Sequence, residues 1–167
     1  MRDLEIRIQI LRNKMKQFIK FTTVLIAFYF TSCINSAEPE MHLLPKNFQG
    51  YVIIVFDDQN GQDEKYEDGF RVYEIPSNGV LKTKFKSQHG WIANDKLKYY
   101  YDSNGLRENV SYIEFEKDTK DSMTTYVHRK ELSENCVRYL VSPLSKSEKY
   151  YEEMNKKLDE LFPPIVQ

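Results

Sequence analysis

Cys33 is the residue whose surroundings point to a definite chemistry. It follows the ten-residue apolar run Phe21 to Phe30 and the small pair Thr31-Ser32, and Lys14, Lys16 and Lys20 precede that run. A basic opening and a short apolar core are the parts of a secretory leader, and small residues just ahead of a cysteine look like a bacterial lipobox. In lipoproteins with that box the leader is cut before the cysteine, whose thiol then carries diacylglycerol. Ten residues fall short of the roughly 20 that cross a bilayer as a helix. Phe30 holds the −3 place, where an aliphatic residue is usual. Two other outcomes stay open: cleavage after Ala37 by the ordinary peptidase, with Asn35 as an unfavourable −3 residue, and an uncleaved anchor. Met15 opens Met-Lys-Gln-Phe-Ile-Lys, a conventional basic start, whereas Asp3 and Glu5 upstream are foreign to a leader.

The other reactive side chains form no known catalytic pattern. His42, His89 and His128 fall in a lead-in, a loop and a strand, without HExxH or HxH spacing, so neither a metal nor a cofactor is expected. There is no GxSxG elbow, GxGxxG or phosphate loop, and an enzyme is not expected. Asp57, Asp58, Asp63, Glu64, Glu67 and Asp68 offer the oxygens that calcium takes. With Gly61 as the sixth loop residue of an EF-hand, however, Phe56 would stand first, and it has no oxygen to give; the stretch reads as a solvated hairpin loop, with an irregular Ca²⁺ site as the alternative. Cys136 lies in Cys136-Val-Arg-Tyr-Leu-Val141 and reads as a small buried hydrophobe. Trp91, Tyr99, Tyr100 and Tyr101, with Tyr66, are candidates for a stacking surface, although alternation sends Tyr100 to the face opposite Tyr99 and Tyr101.

Those residues need a scaffold, and the composition bounds it. The chain has 167 residues, 41% of them hydrophobic, and a net charge of −1. Removing residues 1–32 takes away six of the 24 Lys/Arg and two of the 25 Asp/Glu, leaving 18 bases against 23 acids on one domain. A mildly acidic globule of this kind argues against nucleic acid and against electrostatic binding to anionic lipid. Pro39 and Pro45 break any regular pattern in the lead-in. Gly50 to Phe56 is apolar on both faces and reads as a buried strand. Asp57 to Gly61 turns the chain at Asn60-Gly61. Phe70 to Ile75, Lys96 to Tyr101, Val110 to Glu116, Met123 to Arg129 and Cys136 to Ser142 read as further strands. Val80 to Lys86 alternates, with Leu81, Thr83 and Phe85 on one face and three lysines on the other.

From Ser145 the pattern turns helical. Ser145 and Glu148 fit a capping box, Tyr151, Met154, Leu158 and Leu161 form an apolar stripe, and Pro163-Pro164 stop it. The expected fold is mainly β: an antiparallel β-sandwich or bent sheet of about seven strands with one C-terminal α-helix. The expected order is a signal peptide over 1–32 (with Met15 as a second candidate start), a lipidated tether over 33–44, a β-rich domain over 45–162 and a tail over 163–167.

Leu43-Leu-Pro-Lys-Asn-Phe-Gln-Gly50, Val52 to Phe56, Gly69-Phe-Arg-Val-Tyr-Glu-Ile-Pro76 and Gly79-Val-Leu-Lys-Thr83 carry a resemblance. Over about residues 41–105 the chain resembles a family of small Gram-negative lipoproteins of unknown function. The resemblance implies an exported, lipid-anchored β-rich domain and brings no catalytic residues. The expectation is therefore a membrane-tethered, non-enzymatic binding or accessory domain. It would be held to the lipid bilayer through acylated Cys33, on the outer membrane facing the periplasm, with an envelope protein or a glycan as partner. Two alternatives are a glycan-binding module using the tyrosines and Trp91, and a hydrolase in which His89 or His128 meets carboxylates.

Overall fold

Strands buried on both faces need a layer on each side, and the lead-in supplies one of them. The computed structural model describes residues 37–88, 92–113, 122–128, 130–133 and 135–163. The expected signal peptide, Cys33, His89 and Trp91 lie outside those residues. β1 covers Glu40–Pro45, so residues 40–44 are a strand of the domain and not a tether. Pro39 and Pro45 bracket this strand without entering its interior, which is where proline is tolerated.

β1 is the centre of the first sheet. It pairs in parallel with β4 (Phe70–Glu74) and with β6 (Leu97–Ser103), with Glu40 level with Arg71 and Leu97. The two-residue β3 (Tyr66–Glu67) and β7 (Leu106–Asn109) close its edges antiparallel. In the second sheet, β2 (Gly50–Val55) pairs in parallel with β5 (Val80–Lys82) and antiparallel with β10 (Cys136–Ser142). β8 (Tyr126–Val127) and β9 (Glu131–Leu132) both lie along the far edge of β10. The class is mainly β with one terminal helix, as the alternation indicates, but the central pairings are parallel and the sheets mixed. Side-chain alternation reports faces and not strand direction, so it could not distinguish the two.

The inner faces of the sheets meet in one core, containing Leu44, Tyr73 and Tyr99 from the first and Val52, Ile54, Phe56, Tyr139 and Val141 from the second. Leu81, Thr83 and Phe85 point inward and the lysines between them are exposed. The terminal helix α1 (Ser147–Leu161) covers the outer face of the second sheet. There Met154 packs with Ile53, Cys136 and Leu140, flanked by Tyr150, Leu158 and Leu161.

Two details of α1 differ from expectation. Tyr151 is 44% exposed, and its neighbour Tyr150 turns to the sheet. The capping box does not form. A 3-10 turn at Leu144–Lys146 delays the helix start, and Lys146 at the cap makes no side-chain cap bond. Ser145 Oγ instead approaches Met123 Sδ, and Ser147 Oγ donates to the Leu144 carbonyl.

Candidate functional site

Period-two geometry puts residues i and i+2 of a strand on one face, so Glu40 and His42 both enter the core from β1. Met41 and Leu43 leave on the other face and pack with Val72, Phe70 and Tyr100. Glu40 is 2% exposed and His42 is 0% exposed. A carboxylate and an imidazole in the centre of a sandwich demand partners, and the fold brings them from far along the chain.

His42 Nε2 lies 3.0 Å from Glu40 Oε2, and Tyr139 on β10 places its hydroxyl 3.0 Å from His42 Nδ1. Lys130 Nζ reaches Glu40 Oε2 at 2.5 Å, and Gln88 Nε2 donates to Oε1 at 2.7 Å. Three donors on one carboxylate favour its charged form. Burial opposes ionisation of Glu40, but the hydrogen bond from His42 and the hydrogen bond and charge of Lys130 outweigh it and hold the carboxyl down to about 2. Burial pushes the His42 imidazole below its ordinary range, aided by the charge of Lys130 and resisted by Glu40. His42 is therefore neutral. Since the carboxylate can only accept, Nε2 carries the proton and Nδ1 accepts from Tyr139.

Aromatic rings wall in this centre. Tyr99 stacks on His42 with centroids 4.7 Å apart, and Tyr73 and Tyr139 stand at 5.0 and 5.4 Å. Burial raises all three phenols well above the ordinary tyrosine range. The Tyr99 hydroxyl is buried with no hydrogen-bond partner among the described residues. The Tyr139–His42 and Lys130–Glu40 contacts tie the second sheet and its flanking segment to β1 of the first. Chemically, the array is a closed relay from phenol to imidazole to carboxylate, locked by an ammonium.

The arrangement has a pH signature. The pKa of His42 is lowered in the fold, so its contribution is complete above the unfolded value of 6.5 and declines as pH falls below it. The contribution of Glu40 declines between its unfolded value of 4.5 and about 2. Thermal melts should therefore show stability falling in two stages on acidification. A melting temperature unchanged between about pH 7.5 and pH 5 would contradict a neutral buried His42.

The tyrosine surface expected from the sequence does not assemble. Tyr99 is 1% exposed and belongs to the core, because the inward face of β6 meets His42. Tyr101 is half-buried and donates to the Phe48 carbonyl at 3.1 Å, while Tyr100 packs on the outer side of the same sheet. His128 is a satisfied structural histidine, its Nε2 2.9 Å from the Ser142 carbonyl. In the acidic loop, Asp58 faces Lys82 and Asp63 faces Lys84. Among the described residues, no three His, Cys, Asp or Glu side chains converge as a metal site would require. In the sequence His42 falls in what reads as a lead-in, and Glu40 does not stand out. The available signal was the Glu-x-His spacing within an apolar stretch, Met41, Leu43 and Leu44, which marks a half-polar strand.

A family model described as "Family of unknown function (DUF6843)" matches residues 36–155. No curated protein matches the chain. A solved Bacillus anthracis structure, described as a "Putative Lipoprotein", is similar at 16% identity and a TM-score of 0.47. The match covers 73% of this chain and 94% of that one.

Proposed function

The chain belongs to the family of unknown function DUF6843, and on that footing we propose that it is a lipid-anchored, non-enzymatic binding or accessory domain of the bacterial envelope. The observation that carries the non-catalytic part is the sealing of Glu40 and His42. A general base must come within hydrogen-bond reach of a substrate proton. Here both imidazole nitrogens and both carboxylate oxygens are taken by protein groups, at 0% and 2% exposure. The pair joins two sheets, and its chemistry is spent on holding them.

The anchor part rests on Cys33 and the leader-like segment before it. Among the described residues no helix is long and apolar enough to cross a membrane; in this reading the attachment comes from acyl chains on Cys33. Each buried CH₂ contributes about 0.8 kcal/mol, and two or three chains hold where one does not. The segment after Cys33, Ile-Asn-Ser-Ala-Glu-Pro-Glu40, has no acidic run, and we place the domain on the periplasmic side of the outer membrane of a Gram-negative cell.

The test is fractionation with mass spectrometry of the mature amino terminus. The native protein should sediment with membranes and carry lipid on Cys33, and Cys33→Ala should become soluble or remain an uncut precursor. An unmodified terminus at Glu38 would overturn the anchor. Affinity capture from detergent-solubilised envelope then identifies the partner.

A further inference from the structure

Only three residues separate Cys33 from the fixed part of the domain. Ala37 is already buried at 8% exposure. The Glu38 N–H donates to Gln88 Oε1 at 2.8 Å, Gln88 Nε2 donates back to the Glu38 carbonyl at 3.2 Å, and the Arg71 N–H donates to the Pro39 carbonyl at 2.8 Å. The tether is therefore 34–36. From Cys33 to Ala37 a fully extended chain reaches about 14 Å.

β1 runs away from that attachment point. Because β4 and β6 are parallel to it, with Arg71 and Leu97 level with Glu40, all three strands begin at this one end of the sandwich. Lys86 is exposed at the same end, its carbonyl accepting from Arg71 Nη1 at 2.9 Å. Lys46 is exposed at the other end of β1, a strand length of about 20 Å farther on. Charge does not set the approach. At this end Arg71 pairs with Glu38, and Asp95 and Lys96 are exposed neighbours in the chain, so among the described residues this end carries both signs and not a basic patch that would hold anionic headgroups by itself.

We infer that the acylated protein rides with the starting ends of β1, β4 and β6 against the headgroups of its own bilayer, and presents the opposite end, with Lys46 and the Asn104-Gly105 turn, to the space beyond. This rests on the lipid-anchor reading above. The lipid surface is the partner of the near end, and covalent reach is what brings it there.

The test uses the acylated protein in vesicles of phosphatidylethanolamine and phosphatidylglycerol containing a lipid spin-labelled on its headgroup. A fluorophore is attached at Lys86→Cys or at Lys46→Cys; Cys136 is buried and does not compete. Quenching should be several-fold stronger at position 86 than at 46, and unchanged by added salt or by omission of phosphatidylglycerol. Equal quenching, or stronger quenching at 46, on a terminus shown by mass spectrometry to be acylated would overturn the apposition alone. An unmodified terminus would overturn the anchor reading and the apposition with it. Inserting a Gly-Ser segment of about ten residues between Asn35 and Ser36 should abolish the difference while membrane association persists. Persistence of the difference would show that something other than the tether holds this end down.

Discussion

Lys130→Met should destabilise the fold by about 3–5 kcal/mol. The Lys130 ammonium sits 2.5 Å from a Glu40 carboxylate oxygen, with the two side chains 15% and 2% exposed. Taking the cation away leaves an anion in the core with only His42 and Gln88 as neutral donors, and an uncompensated buried charge costs more than the pair gains. The Glu40 carboxyl, held at about 2 in the native protein, should then rise, and carbon NMR of the labelled glutamate would follow it. Urea unfolding at neutral pH measures the stability. The double variant Glu40→Leu with Lys130→Met removes both charges and should recover much of the loss, so the cycle isolates the pair. A single-variant loss below about 1 kcal/mol would mean that water already reaches the carboxylate.

Gly79→Ala should be the most damaging conservative change at a turn. Gly79 has φ +76°, and a Cβ there would lie 2.2 Å from the Tyr51 carbonyl oxygen, a backbone atom that cannot swing aside. Its own carbonyl accepts from the Ile53 N–H at 2.8 Å, and the next residue, Val80, opens β5 in register with Ile53. The left-handed conformation alone costs an L-residue about 1–2 kcal/mol. Moving the backbone breaks the parallel start of β5 as well, and a total near 3 kcal/mol should lower Tm by roughly 10 °C. Gly105→Ala is the control. At φ +86° with nothing within 4 Å of the added Cβ, it bears the conformational cost only. Equal losses for the two variants would refute the close approach at Gly79.

Local pattern was a good guide where a segment's own residues decide its state. Cys136–Ser142 is a strand over the range its composition indicates. The turn at Asn104-Gly105 has both residues at positive φ, +54° and +86°, as a two-residue hairpin requires. Asn60-Gly61 has the same letters and a different cause. Gly61 is not at positive φ; its missing side chain lets the backbone of Thr83 approach to 2.6 Å of where a Cβ would stand. What local pattern could not reveal was β1. Glu40 and His42 look like solvated residues until Gln88, Lys130 and Tyr139 arrive from 48, 90 and 97 positions away. The candidate site is made of such distant partners, which is why its residues stayed hidden while the helix and the apolar strands did not.

The central place of β1 also sets the tempo of folding. Its two strand neighbours start 31 and 57 positions downstream, at Arg71 and Leu97 for Glu40, and neither pairing is a hairpin. The first sheet can therefore pair one side of its middle strand only when β4 is present and the other only when β6 is, and such long-range parallel closure is slow. A polypeptide threaded amino end first through a translocon would carry β1 across with nothing to pair against. It would stay extended, as passage through a narrow pore demands, and condense only when β6 and then Tyr139 follow. In such a transit the apolar strand Gly50–Val55 would have only β5 to pair with until its antiparallel partner emerged 86 positions behind it, counting from Gly50 to Cys136, and that strand would be the segment on which a holding chaperone acts.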